Sequence, residues 1–145
     1  MKNGNSEKKK VLFVCIGNMI RSQMAEGFAR EGGSAFIETF SAGVKPTGVV
    51  SEEAVVVMRE KGIDISDHRS KGLDDVPVLE MDYIVNMSGY DLKSLVPSAM
   101  AGAIIDWHVE DPLGRSLQYF RETRDNLEPR INEFLRQLWQ DKIPG

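Results

Sequence analysis

Residues 11–22 read Val11-Leu12-Phe13-Val14-Cys15-Ile16-Gly17-Asn18-Met19-Ile20-Arg21-Ser22. The first five are apolar or β-branched, the composition of a strand buried on both faces. Gly17 and Asn18 tolerate left-handed backbone geometry, so the chain can turn sharply behind Cys15. Ser22 reads as a helix start, with Glu26 in the early turns. Met24, Ala25, Phe28 and Ala29 share one apolar helical face. Gly32-Gly33 is expected to stop that helix. The result is a strand–loop–helix unit with a cysteine in its loop.

The same alternation continues along the chain. Phe36–Phe40 reads as a second strand, closed by Ser41-Ala42-Gly43. Ser51 is placed to cap a helix running to about Lys61, with Gly62 as its terminator. Residues 63–72 read as an irregular connection, followed by a short helix over Leu73–Leu79 limited by Pro77. Tyr83–Met87 is a third strand, Asp91–Val96 a short helix and Ala103–Trp107 a fourth strand. Leu117, Phe120, Leu127, Ile131, Phe134, Leu135 and Leu138 lie at helical spacing, and Pro129 predicts a kink or break near Asp125–Glu128. Strands alternating with helices imply an α/β domain: a four-stranded parallel sheet flanked by helices in three layers. Residues 1–8 are expected to be a flexible tail and residues 9–145 a single catalytic domain.

The loop suits attack on a tetrahedral oxyanion. Ligands of parallel sheets bind beyond the carboxyl ends of the strands, where a helix begins. There the backbone N–H groups of Ile16, Gly17, Asn18, Met19, Ile20 and Arg21 can surround anionic oxygens, helped by the helix dipole. Arg21 adds a planar fork that holds two oxygens at once. A helix N-terminus and a guanidinium also favour the thiolate, the nucleophilic form of a cysteine. Ser22 is placed to hydrogen-bond the sulfur of Cys15. An ester oxygen leaves poorly unless protonated, so a carboxylic acid must reach the site. Asp111, stiffened by Pro112, is the candidate, with Asp106 and Glu110 as substitutes.

Composition narrows the alternatives. The 145 residues are 41% hydrophobic and 28% charged, ordinary for a soluble globular protein. The net charge of −4 argues against a general nucleic-acid binder, and no apolar run reaches a membrane span. The apolar stretch behind the basic start is too short for a signal-peptide core, which leads to a cytoplasmic expectation. One cysteine excludes an internal disulfide and a CxxC metal site. His68 and His108 match no metal-ligand spacing, so neither metal nor cofactor is expected. The methionines and Trp139 are expected in the core or at an interface.

The string Val-Leu-Phe-Val-Cys-x-Gly-Asn-x-x-Arg-Ser resembles the signature of the low-molecular-weight protein-tyrosine-phosphatase family, which includes the thioredoxin-coupled arsenate reductases. Ser41-Ala42-Gly43, Gly62-Ile63-Asp64-Ile65 and Asp111-Pro112 extend the resemblance to the C-terminal helix. It implies the phosphotyrosine phosphatase I fold. It also implies a thiophosphate or arsenate adduct on Cys15, oxyanion binding by Arg21, and Asp111 as acid and then base. Asn18, Ser22 and Ser41 would support the loop.

The branch is open at this stage. Arg21-Ser22-Gln23-Met24-Ala25-Glu26 and the stretch Trp107–Asp125 are similar to the reductases, and Leu113-Gly114 stands where many eukaryotic phosphatases have a tyrosine pair. The reductases' relay cysteines, however, fall on Ser88 and Leu95, and Ile20 takes the place of a second loop cysteine. In reductases the residues matching Asn18, Glu26 and Ser41 hold potassium together with an aspartate. Lys71 stands in that aspartate's place, either as a substitute for the ion or as an unrelated surface lysine. The leading expectation is a phosphatase acting on phosphotyrosine or aryl phosphate esters, as a monomer or weak dimer. Arsenate reduction with an external thiol is the alternative, and a phosphate- or protein-binding module the non-enzyme reading.

Overall fold

The computed structural model describes residues 8–96 and 103–142. All but the last residue of the expected tail, 1–8, lie outside them. Four strands, β1 (Lys9–Cys15), β2 (Ile37–Gly43), β3 (Tyr83–Asn86) and β4 (Ala103–Asp106), form one parallel sheet in the order β2-β1-β3-β4. The helices are α1 (Arg21–Gly33), α2 (Glu52–Arg59) and α3 (Leu117–Lys142). The four-stranded α/β architecture expected from the sequence is the one observed.

Strand β1 is central and its alternation divides the core. Val11, Phe13 and Cys15 face a cluster with Met24 and Phe28 of α1, Val57 and Met58 of α2, and Ile131 and Phe134 of α3. Leu12 and Val14 face the opposite side, where Ala42, Val78, Met81, Ile84 and Leu92 pack. Both faces are dry, which is why β1 reads as a continuous apolar run. The second face is covered by single-turn 3-10 helices at Leu73–Asp75, Val78–Glu80 and Leu92–Ser94, where longer helices over Leu73–Leu79 and Asp91–Val96 were expected. Pro77 separates the first two, and three residues suffice to bury Val78 and Leu92.

Three boundaries differ from expectation for local reasons. Helix α1 begins at Arg21 without a side-chain cap, because the N-cap position falls on the apolar Ile20; Ser22 lies inside the helix with its hydroxyl at Cys15 and Asn18. It runs through Gly33, whose missing side chain gives Leu135 room: a Cβ there would lie 2.9 Å from the Leu135 side chain. Strand β2 continues to Gly43, which pairs with Cys15, so Ser41-Ala42-Gly43 belongs to the strand. Ser51 caps α2 as expected, accepting the Ala54 N–H. Buried methionines (Met24, Met58, Met81, Met87) fill the core, and Trp139, 46% exposed, stacks on Phe36.

The largest departure is α3, a single helix of 26 residues with Pro129 inside it. An interior proline costs roughly 3 kcal/mol. The buried Leu127, Ile131, Phe134, Leu135 and Leu138 each contribute about 1.5–3 kcal/mol and lie on both sides of it, so packing outweighs the break. Pro129 and Asp125 are exposed, leaving the unpaired Asp125 carbonyl to water. Replacing Pro129 by Ala restores that hydrogen bond, and urea unfolding should show a gain of about 2 kcal/mol after the lost rigidity of the unfolded chain is deducted. A loss of stability would mean that the helix needs the proline's geometry.

Candidate active site

The turn from β1 into α1 points its carbonyls outward. The Cys15 carbonyl accepts from the Val44 N–H, Ile16 from Lys45, Gly17 from Thr47, Met19 from Ser51 and Ile20 from Met24. The Asn18 carbonyl accepts from the Gln23 side chain, and Ser70 adds its hydroxyl to the Gly17 carbonyl. Among the described residues no protein acceptor takes the N–H groups of Ile16 to Arg21. Those six donors remain for an anion.

Two positions make this turn possible. Asn18 is the one described non-glycine residue with positive φ, at 49°. Gly43, at the end of β2, lies against the loop so closely that a Cβ would sit 2.7 Å from both Asn18 N and Ile16 O. Gly43 also donates its N–H to the Lys71 carbonyl.

Cys15 is buried, with its sulfur 3.0 Å from Ser22 Oγ. The hydrogen bonds behind it run in one direction. His68 Nδ1 lies 2.9 Å from Gln23 Oε1, and Gln23 Nε2 donates to Asn18 Oδ1 at 3.0 Å. Asn18 Nδ2 donates to Ser22 Oγ at 2.7 Å, which leaves the Ser22 O–H to donate to sulfur. Every donor in the series faces the cysteine sulfur. The short contact of Ser41 with Glu26, and of Glu26 with Arg30, closes the polar cluster on its far side.

Lys71 lies in the same cluster. Its ammonium is 3.4 Å from Asn18 Oδ1, 3.2 Å from Ser41 Oγ and 3.0 Å from the Arg69 carbonyl. It thus contacts two of the residues, Asn18 and Ser41, that the resemblance links to potassium. Burial lowers the Lys71 pKa, with Glu26 opposing the shift.

Arg21 is anchored at both sheet ends that follow β1. Its Nη1 donates to the Met87 carbonyl at 2.8 Å and to Val109 at 3.1 Å, and Nη2 is 3.4 Å from Asp111 Oδ2. Nε is buried without a partner, a donor left for a ligand. Cys15, Arg21 and Asp111 line one small pocket of about 110 Å³, rimmed by Met19, Lys45, Thr47 and Leu113. That volume suits an oxyanion better than a large ligand.

Of the three carboxylates considered, Asp111 is the one in this pocket. Asp106 accepts from Asn86, and Glu110 pairs with His108 at the surface. His108 is exposed there, whereas His68 lies behind the loop. Ser88 is buried and bonded to Asn86, and Leu95 is 47% exposed. A larger cleft of about 610 Å³, bordered by Asn86, Tyr90, Asp106 and Trp107, lacks Cys15. Lys45 and Thr47 carry no sequence signal of their own; only spatial proximity brings them to the loop.

Two consequences are measurable. Gly43→Ala forces backbone apart and should lower stability by about 1–3 kcal/mol while removing phosphate protection of Cys15 from iodoacetate. Unchanged protection would detach Gly43 from the loop's shape. Burial lowers the pKa of His68, so the native state holds it neutral while the unfolded chain protonates it at about 6.5. The unfolded state therefore binds the extra proton, and stability should fall as pH drops through that value toward the depressed one, then level off. Denaturant midpoints in this window should flatten in His68→Asn; an identical profile would refute the assignment.

Comparison with known proteins places the chain in a family. Residues 10–143 match the family model for low molecular weight phosphotyrosine protein phosphatase. A glutaredoxin arsenate reductase from Synechocystis sp. is 36% identical over 131 residues, covering 90% of this chain and 98% of its own. An arsenate reductase solved in the phosphate binding state is 35% identical with a TM-score of 0.80, covering 89% of this chain and 98% of its own. An arginine phosphatase from Geobacillus stearothermophilus is 27% identical with a TM-score of 0.84, covering 92% and 95%. The chain belongs to the low-molecular-weight phosphotyrosine protein phosphatase family, whose fold here carries a cysteine loop with free inward donors.

Proposed function

We propose that this protein is a cysteine-dependent phosphatase that hydrolyses phosphotyrosine or related aryl phosphate monoesters. The observation that supports it is the joining of Cys15, Arg21 and Asp111 in one pocket of a chain with a single thiol. Ester hydrolysis needs no second cysteine.

In the first step the Cys15 thiolate attacks phosphorus. The bond from phosphorus to the ester oxygen breaks, and Asp111 transfers a proton to that oxygen. The loop N–H groups and Arg21 hold the three equatorial oxygens as charge develops on them. In the second step Asp111, now a carboxylate, takes a proton from water as it attacks phosphorus. The S–P bond breaks, phosphate leaves, and Ser22 stabilises the returning thiolate. The reaction requires a reduced thiol, so we place it in the cytoplasm.

The name of the Synechocystis relative favours a second reading, arsenate reduction. Here Cys15 displaces a hydroxyl from arsenate, lost as water. An external thiol then attacks the sulfur of Cys15, forming a mixed disulfide as arsenite departs with two electrons. A second external thiol restores Cys15. Ser88 and Leu95 preclude an internal disulfide relay through those positions.

Aryl phosphate hydrolysis should disappear in Cys15→Ser. Asp111→Asn should slow esters of poor leaving groups by roughly 10²–10⁴ and those of good ones much less. Arsenate turnover driven by small thiols, without hydrolysis of any aryl phosphate, would establish the second reading instead. Equal kinetics of Asp111→Asn on poor leaving groups would remove Asp111 as the acid.

A further inference from the structure

We infer that Lys45 is a specificity-determining residue that selects phosphate monoesters carrying a carboxylate beside the phosphorylated group, as in phosphotyrosine next to an acidic residue. The inference rests on the phosphatase reading and specifies its substrate.

Lys45 is fixed to the catalytic loop at its backbone. Its N–H donates to the Ile16 carbonyl at 2.7 Å, and two residues on, Thr47 donates to Gly17 at 3.2 Å. Pro46 between them restricts the backbone further. The side chain lies over the ring of Tyr90, with Nζ 5.6 Å from the centroid. That ring is itself held, because the Tyr90 N–H donates to Ser88 Oγ and its carbonyl accepts from Asn86. The ammonium is therefore positioned at both ends of its flexible stem.

The charge arrangement gives this position a purpose. Arg21, the other cation of the pocket, faces Asp111 at 3.4 Å. Lys45 also lines that pocket, and among the described residues no carboxylate pairs with it. Leu113, 57% exposed, lines the pocket, and Tyr90, 36% exposed, borders the neighbouring cleft beneath the Lys45 side chain; both offer apolar surface for an aryl group. A carboxylate one residue from that aryl group falls within reach of the free ammonium. An aromatic face holds a cation without neutralising it, so the charge remains available.

The test uses paired phosphotyrosine peptides with Glu or Gln at either flanking position. Wild-type kcat/KM should favour Glu at one of them by about two- to fivefold, the range of an exposed ion pair. High salt should erase the preference, Lys45→Met should abolish it and Lys45→Arg should keep it. A ratio of one in the wild type, or an unchanged ratio in Lys45→Met, overturns the inference. Non-hydrolysable phosphonate versions of the same peptides, titrated as protectors of Cys15 against iodoacetate, give the same ratio as a Kd. If no peptide is hydrolysed, the phosphatase reading fails while the phosphonate ratio still decides the role of Lys45.

Discussion

An anion site made of backbone amides requires the carbonyls of the same residues to be accepted elsewhere. In this protein the six carbonyls of residues 15–20 all find donors outside the loop's mouth. The donors come from the segment after β2, from α1 and from the Ser70 hydroxyl. A buried carbonyl without a partner costs roughly 1–3 kcal/mol. The outward bonds thus hold the amides inward before any ligand arrives, so binding requires little reorganisation.

Asn18 is where that constraint meets the side chains. A left-handed backbone costs an ordinary residue roughly 1–2 kcal/mol. Glycine would remove the penalty but also the amide that joins Ser22, Gln23 and the Lys71 backbone. Each such hydrogen bond contributes about 1 kcal/mol net, so the set outweighs the strain. Behind Asn18 the buried Glu26, with the half-buried Lys71 and the exposed Arg30, adds little stability as charge, because desolvation of the carboxylate offsets much of the attraction. Their effect is to fix the direction in which the hydrogen bonds point.

The single thiol separates this chain from an internal disulfide relay while leaving the loop chemistry common to both branches of the family. Nucleophilic attack on a tetrahedral oxyanion is the same first step for phosphate and arsenate. The fate of the adduct depends on whether water or a second thiol reaches it. Asp111 lines the pocket, and no second cysteine exists in the chain for an intramolecular thiol course.

The sequence by itself determined the strand–loop–helix unit, the parallel alternation and the candidates Cys15, Arg21 and Asp111. Apolar periodicity and turn-forming residues act locally and leave a direct trace in the order of amino acids. Tertiary structure decided what depends on distant partners. Pro129 sits inside an unbroken helix because packing on both sides exceeds its local penalty. Lys71, whose role was ambiguous in sequence, has its ammonium among Asn18, Ser41 and Arg69. Lys45 was one exposed lysine among many until the loop's backbone and the Tyr90 ring fixed its place. Gly43 closes a strand in sequence, but only the 2.7 Å approach of the loop backbone explains why nothing larger fits. Such roles follow from contacts between residues far apart in the chain, which no local pattern encodes.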